Sequence, residues 1–249
     1  MLNIHLITLE ETPEREAQAT LELAKYKLEV KVHRFKRQTP GWKGCIDSHL
    51  QIFQYGKDTN SEILWIAEDN LVSAFDKFPA KKYENLSRFM RKCSNWEIIF
   101  VGGYILRPWD YCQETIYPQL YETRNNNHGT ISYIIHRRAY LKILSLHQLS
   151  PINIHYDIYL SKTCRKCYIY EPLLFYHANN VISNINRKSD FWRKWWFHPK
   201  MMKVHTLIFF HREWLYILLM LLVMIAGGMW CIWKSTSIPH TASSVKRSE

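Results

Sequence analysis

Residues 2–9 alternate and cluster apolar side chains in the manner of a buried strand, and 13–27 then take helical spacing behind Thr12-Pro13, with acids in the first turn. A second strand is predicted at 29–36. Gly41 and Gly44 mark a loop, after which Ile46, Leu50 and Phe53 give Cys45 to Tyr55 a helical repeat. The short apolar run Ile63-Leu-Trp-Ile-Ala67 predicts a third strand, 80–93 a helix, and Trp96 to Val101 a strand ending at Gly102-Gly103. A polar stretch reaches to about 128, a strand follows at 130–135, and a helix at 137–148. Strands and helices that alternate in this way predict an α/β domain, a mainly parallel sheet with helices on both faces. Ligands of such sheets sit beyond the carboxyl ends of the strands. The stretch 103–128, with Trp109, Tyr111, Tyr117, Tyr121 and Asn125 to Asn127, is longer than most connections and is read either as a substrate cover or as a packed surface loop.

One segment departs from this pattern. From Trp214 to Trp233 there is no Asp, Glu, Lys, Arg or His. A helix of that length spans roughly 30 Å at about 1.5 Å per residue, which predicts a single transmembrane helix near the C-terminus. Met1 to Glu10 lacks the basic start, long apolar stretch and small-residue cleavage site of a signal peptide. Before the predicted span, 187–213 holds seven bases, among them Arg193, Lys194 and Arg212, against Asp190 and Glu213, a balance of +5; the tail 234–249 holds three bases against Glu249, a balance of +2. The larger positive flank precedes the span, so the N-terminal domain is expected on the cytosolic side, held by a C-terminal anchor. The expected organisation is a domain at 1–186, a basic aromatic juxtamembrane segment at 187–213, the span at 214–233 and a short polar tail.

Charge and composition narrow the classes. Of the formal +11, only +4 falls on 1–186, so the basicity gathers beside the predicted membrane span and calls for no nucleic-acid partner. Interleaved with Trp192, Trp195 and Trp196, those bases suit a segment among anionic head groups. With 47% hydrophobic and 22% charged residues among 249, the chain has the means to bury a core, which excludes disorder as its main state. Six irregularly spaced cysteines do not make a disulfide scaffold. Cys164-Arg-Lys-Cys167 lacks a second pair at ligand spacing, so neither a zinc nor a redox motif is read there.

The third strand delivers Glu68, Asp69 and Asn70 to its carboxyl end, where hard oxygen ligands and a diphosphate could meet a divalent cation. Upstream stand Thr8, Arg15 and the run Gly44-Cys45-Ile46-Asp47-Ser48-His49-Leu50; downstream come Gly129-Thr130-Ile131-Ser132-Tyr133, Asp157 in His155 to Leu160, Glu171-Pro172-Leu173 and Ser183-Asn184-Ile185. In this order the set resembles glycosyltransferase family 25, the lipopolysaccharide and collagen glycosyltransferase family, over roughly 2–186. Its most specific piece is the Gly-Cys-x-x-Ser-His-Leu run.

The resemblance implies a GT-A type fold and a hexosyltransferase that moves a sugar from a nucleotide donor, a UDP-sugar, to a hydroxyl on a glycan, lipid-linked or protein acceptor, with inversion. It implies Mn²⁺ or Mg²⁺ at Glu68, Asp69 and Asn70, with His177 completing the coordination. It implies donor contacts from Thr8, Arg15, Ser48 and His49, and Asp157 as catalytic base. Read from the residues alone, Arg15 is equally a surface helix residue, Ser48 and His49 equally cap or pack a helix, Asp157 equally caps one, and His177 equally ends a strand in a hydrogen bond. Thr8 stands where the family has Asn, Asn184 where it has Asp, and Asn70 where the acidic motif ends in Asp. Asn70 therefore leaves a second reading open: an inactive relative kept as a membrane-anchored interaction module.

Overall fold

The computed structural model describes residues 3–76, 80–103, 112–123, 129–171, 173–178 and 219–225. The chain divides into two compact units, Met1–Thr206 and Leu207–Glu249. In the first, the strands β1 (Ile4–Leu9), β2 (Val30–Phe35) and β3 (Ile63–Glu68) are joined through the helices α1 (Pro13–Ala24) and α2 (Gly41–Asp58). Then come β4 (Leu71–Ser73), α3 (Ala80–Lys92), β5 (Ile98–Gly102), β6 (Cys112–Glu114), β7 (Leu120–Thr123), β8 (Ser132–His136), α4 (Arg137–Leu149), α5 (Tyr156–Thr163), β9 (Cys167–Tyr170) and β10 (Phe175–His177).

The described strands make one sheet in the order β2-β1-β3-β8-β5-β9-β7-β6, with β10 alongside β5 and β4. β1 is parallel to both β2 and β3; β8 is antiparallel to β3 and β5; β5 is parallel to β9. Five of the six central strands thus run one way, and β8 is inserted against them. The reversal has a simple cause. A parallel return needs a crossover, whereas the described residues between β5 and β8 form strands rather than a helix.

The β strands show the two-residue period at work. Leu64 and Ile66 of β3 join Ile46, Leu50, Phe53, Ala139, Tyr140 and Leu160 in one core, beneath α2, α4 and α5. Trp65 and Ala67 join Ala19, Leu23, Leu86 and Phe89 in the other, beneath α1 and α3. The sheet is therefore covered on both faces. Gly56 sets how closely α2 lies on the sheet, since a Cβ there would sit 2.6 Å from Leu64 Cδ1.

Two expectations are revised. Gly41 and Gly44 belong to α2 rather than to a loop, which begins just after Pro40 in extended conformation, and Gly44 lets the helix approach Gln38 (3.1 Å from a built Cβ to Gln38 Cβ). The polar stretch after Gly103 contains the β6–β7 hairpin, which extends the sheet from β9, with Tyr117 edge-on to Phe89. Trp109, Tyr111 and Asn125 to Asn127 lie outside the described residues, as do Pro172, Ser183-Asn184-Ile185 and the whole of 187–213. In the second unit, 219–225 is helical and exposed. Among the described residues no helix is long and apolar enough to cross a membrane; the rest of the predicted span at 214–233, and the tail, lie outside them.

Candidate active site

The carboxyl ends of β1, β2 and β3 and the first turns of α2 enclose a cleft of about 120 Å³, many times the roughly 10–15 Å³ that one water requires. Its lining includes Thr8 and Leu9 from β1, Arg15 from α1, Lys36 and Arg37 after β2, Cys45, Ser48 and His49 from α2, and Glu68, Asp69 and Asn70 after β3. The parallel β2-β1-β3 arrangement brings these together, because it sends three strand ends to one edge.

The period of two then separates the acids. Glu68 continues the row of Leu64 and Ile66 and faces α2; Asp69 continues the row of Trp65 and Ala67 and faces α1. Asp69, 7% exposed, pairs through Oδ1 with Arg15 and accepts from Thr8 Oγ1 (3.0 Å) and Thr12 Oγ1 (3.3 Å) at Oδ2. Both of its oxygens are thus committed within the protein. Burial lifts its carboxyl above the ordinary value, against the pull of Arg15 and of the Thr8 hydroxyl.

Glu68 keeps different company. Its Oε1 accepts from Thr130 Oγ1 and lies 3.5 Å from His49 Nε2, while its Oε2 lies 3.4 Å from Asn70 Nδ2. Burial works against its charge, but His49, Thr130 and the nearby His177 more than offset this, and its carboxyl falls below the ordinary value. Asn70 Nδ2 also reaches His177 Nε2 at 3.4 Å, and His177 Nδ1 lies 2.9 Å from the Ala178 carbonyl oxygen, the contact of a ring N–H that leaves Nε2 to accept. Asn70 Oδ1 is buried with no hydrogen-bond partner. Glu68, Asn70 and His177 therefore fit an oxygen-rich cation site with one imidazole, whereas Asp69 does not.

Of the remaining predicted residues, Ser48 Oγ donates to the Cys45 carbonyl oxygen one turn back (2.9 Å). His49 is wholly buried beneath the cleft, its Nδ1 2.8 Å from Tyr133 Oη and its ring stacked on Tyr156 at 4.4 Å. Asp157 is the second residue of α5, where an acid meets the positive end of the helix, and accepts from the Ile158 amide (2.8 Å); the N-cap is His155. Burial raises its carboxyl above the ordinary value, and the charge of Glu68 adds to this. The Cys45 thiol is pushed well up by burial and by the charges of Glu68 and Asp157, although Asp157 itself is not part of the cleft lining.

Of four further residues that matter here, Thr12 lies outside the motifs of the resemblance, and Thr130, Tyr133 and Cys45 lie inside them with no role assigned. Thr12 reads as a helix opener, yet its hydroxyl makes no cap bond and turns to Leu9 and Asp69. Thr130 and Tyr133 brace Glu68 and His49 from β8 and the residues before it. Cys45 and His49 stand four apart on one helix, a spacing that sets both side chains on one face. That spacing was the available signal.

No protein-family profile matches the chain, and no curated protein does. Solved structures similar to it include a protein of STIV (15% identity, 76% of this chain and 92% of that one, TM-score 0.44). A glycosyltransferase involved in glycosylation of the major capsid of PBCV-1 is also similar (12%, 75% and 97%, 0.45), as is a UDP-glucose pyrophosphorylase (10%, 74% and 78%, 0.42). At these scores the likenesses carry no functional weight.

Proposed function

We propose that the chain is a glycosyltransferase that moves a hexose from a UDP-sugar to a hydroxyl acceptor with inversion. One observation supports this most: Thr8, Arg15, Ser48, His49, Glu68, Asp69 and Asn70, dispersed over sixty positions and singled out by the resemblance, all line one cleft at the carboxyl ends of parallel strands. Lys36, Arg37 and Arg15 add positive charge on its β1–β2 side, the complement of a diphosphate.

In this reading the acceptor oxygen attacks the anomeric carbon, the bond from that carbon to the diphosphate oxygen breaks, and the hydroxyl proton passes to Asp157. A raised carboxyl suits a general base, because basicity brings it toward the working pH. Asp69 holds Arg15 in place, and the guanidinium, with Lys36 and Arg37, offsets charge gathering on the departing diphosphate. Bound Mn²⁺ or Mg²⁺, held by Glu68, Asn70 and His177, would supply further stabilisation of that charge. Membrane anchorage through 214–233, a cytosolic domain, and a glycan, lipid-linked or protein acceptor complete the proposal.

The test is radiolabel transfer by the full-length chain from a panel of nucleotide sugars with Mn²⁺, beside UDP binding by calorimetry. Transfer or donor hydrolysis from one sugar, lost in Asp157→Asn, is the expected result. The proposal falls if no sugar is transferred or hydrolysed and UDP does not bind.

A further inference from the structure

We propose that Cys45, His49 and Glu68 form a second, softer metal site, one that takes a zinc-class divalent ion through a thiolate, an imidazole and a carboxylate. The oxygen-rich set of Glu68, Asn70 and His177 lies at Oε2 of Glu68; this one lies at Oε1, where His49 Nε2 stands 3.5 Å away. The inference does not depend on glycosyl transfer.

Three observations converge on it. First, one ligand atom from each of the three residues falls within 4.8 Å of the other two. Zinc bonds of about 2.0–2.3 Å place tetrahedral ligands roughly 3.3–3.8 Å apart, so closing the site takes side-chain shifts of about 1 Å. Secondly, His49 Nε2 is buried and points at Glu68 Oε1 from 3.5 Å, a long contact with room for an ion to replace the shared proton. Thirdly, the rest of the ring is set for ligation. The contact of Nδ1 with Tyr133 Oη continues to Tyr156 Oη at 3.3 Å. With Nδ1–H donating to Tyr133 and Tyr133 donating to Tyr156, Nε2 is free to ligate once any proton it shares with Glu68 is released to solvent.

The scaffold makes the set rigid on two sides. Cys45 and His49 are one helical turn apart on α2, and Glu68 is the last residue of β3, facing α2 by strand parity. All three line the cleft, so three protein ligands leave the fourth position to solvent or a bound group. A thiolate with an imidazole selects zinc over manganese or magnesium. Binding would release the Cys45 proton to solvent, replacing S–H by S–metal.

Cobalt reports on this directly. Metal-stripped, reduced full-length chain titrated with Co²⁺ should bind one equivalent with an intense thiolate-to-cobalt charge-transfer band, and Zn²⁺ should bleach it stoichiometrically. Cys45→Ser should remove the band, and Cys164→Ser should leave it. Tyr133→Phe should weaken binding roughly 10–100-fold, the range for a lost partner of a metal-bound histidine. The absence of the band, or its survival in Cys45→Ser, overturns the proposal. Should Cys45→Ser fail to fold, X-ray absorption of the zinc-loaded wild-type chain decides: one sulfur among nitrogen and oxygen neighbours is expected, and none, or two, refutes it. UDP binding on the same samples separates failure of this site from failure of the transferase reading.

Discussion

Replacing Arg15 by Met removes the cation from a carboxylate that has nowhere else to turn. The Asp69 and Arg15 side chains are 6% and 12% exposed, so water cannot take over for the lost guanidinium. Thr8 and Thr12 still donate to Oδ2, but Oδ1 keeps no partner that carries charge. Leaving one member of a buried pair uncompensated costs about 3–5 kcal/mol. With a urea dependence of about 2 kcal/mol per molar, the unfolding midpoint of Arg15→Met falls by roughly 1.5–2.5 M. Removing both charges, in Arg15→Met with Asp69→Leu, should recover most of this, since a hydrophobic replacement of a buried pair is often near neutral. The pH dependence supplies a second check. Burial already raises the Asp69 carboxyl, and loss of Arg15 raises it further, so the folded variant binds a proton at a pH where its unfolded chain does not. The deficit should therefore shrink as pH falls from neutrality through the raised value, the sign opposite to that of a salt-bridged acid. A deficit under about 1 kcal/mol, or a double variant as unstable as the two single losses added together, would show that Asp69 is satisfied by other means.

Other expectations follow from the same geometry. His5 and His33 share a hydrogen bond (3.0 Å) on β1 and β2, and burial, with Lys31 near, lowers each imidazole to about 4. Stability should be full above about pH 6.5 and be lost as pH falls toward 4, by up to about 3 kcal/mol for the buried His5 and less for the more exposed His33; a plot of unfolding free energy against pH that is no shallower in His5→Asn would contradict this. Gly56→Ala drives a methyl into Leu64, itself 1% exposed, and should cost about 1–3 kcal/mol in chemical unfolding despite the better helix propensity of Ala. Asp157→Asn should lower turnover roughly 10²–10⁴-fold with donor binding kept, and the acid limb of the wild-type pH profile should lie above the ordinary aspartate value because burial raises that carboxyl. Asn85-Leu86-Ser87 is a glycan acceptor sequence on α3; with a cytosolic domain it stays unmodified in a eukaryotic cell, and a mass shift removed by Asn85→Gln would reverse the proposed topology.

The sequence carried the order of the main elements because buried strands and amphipathic helices differ in period, and β1, α1, β2, β3, α3, β5, β8 and α4 all lie where that period places them. It also placed Glu68 to Asn70 at a strand end. Short polar edge strands such as β6 have no such period, and β4 and β10, three residues each, are held by pairing with one another across about a hundred positions. The direction of β8 is set by its connection and not by its composition. At the site, the three-residue run Glu68-Asp69-Asn70 invites a single cation cage, but consecutive residues at a strand end face opposite ways. Only Glu68 and Asn70, two apart, can meet. Thr12 stayed hidden for a related reason: it obeys a local rule, that of a helix opener, while its hydroxyl serves Asp69, 57 residues on.

That divergence sorts the cleft into two halves with separate work. Asp69 and the residues that hold it, Thr8, Thr12 and Arg15, form a closed set in which each strong charge has its opposite, and its main product is a fixed guanidinium at the cleft wall. Glu68 lies on the other face, where it accepts from Thr130 and has Asn70 at 3.4 Å and His49 at 3.5 Å; Asn70 Oδ1 and His49 Nε2 are buried without a hydrogen-bond partner there, as Arg15 Nε is on the first side. Buried polar groups are rarely left in that state without a reason. With a cation held at Glu68, as proposed, the Arg15, Lys36 and Arg37 charges of the cleft would favour an anion that bridges the two sides. Adjacent acids that the sequence presents as a pair thus serve different sides of the cleft, Asp69 the side of Thr8, Thr12 and Arg15 and Glu68 the side of His49 and Thr130.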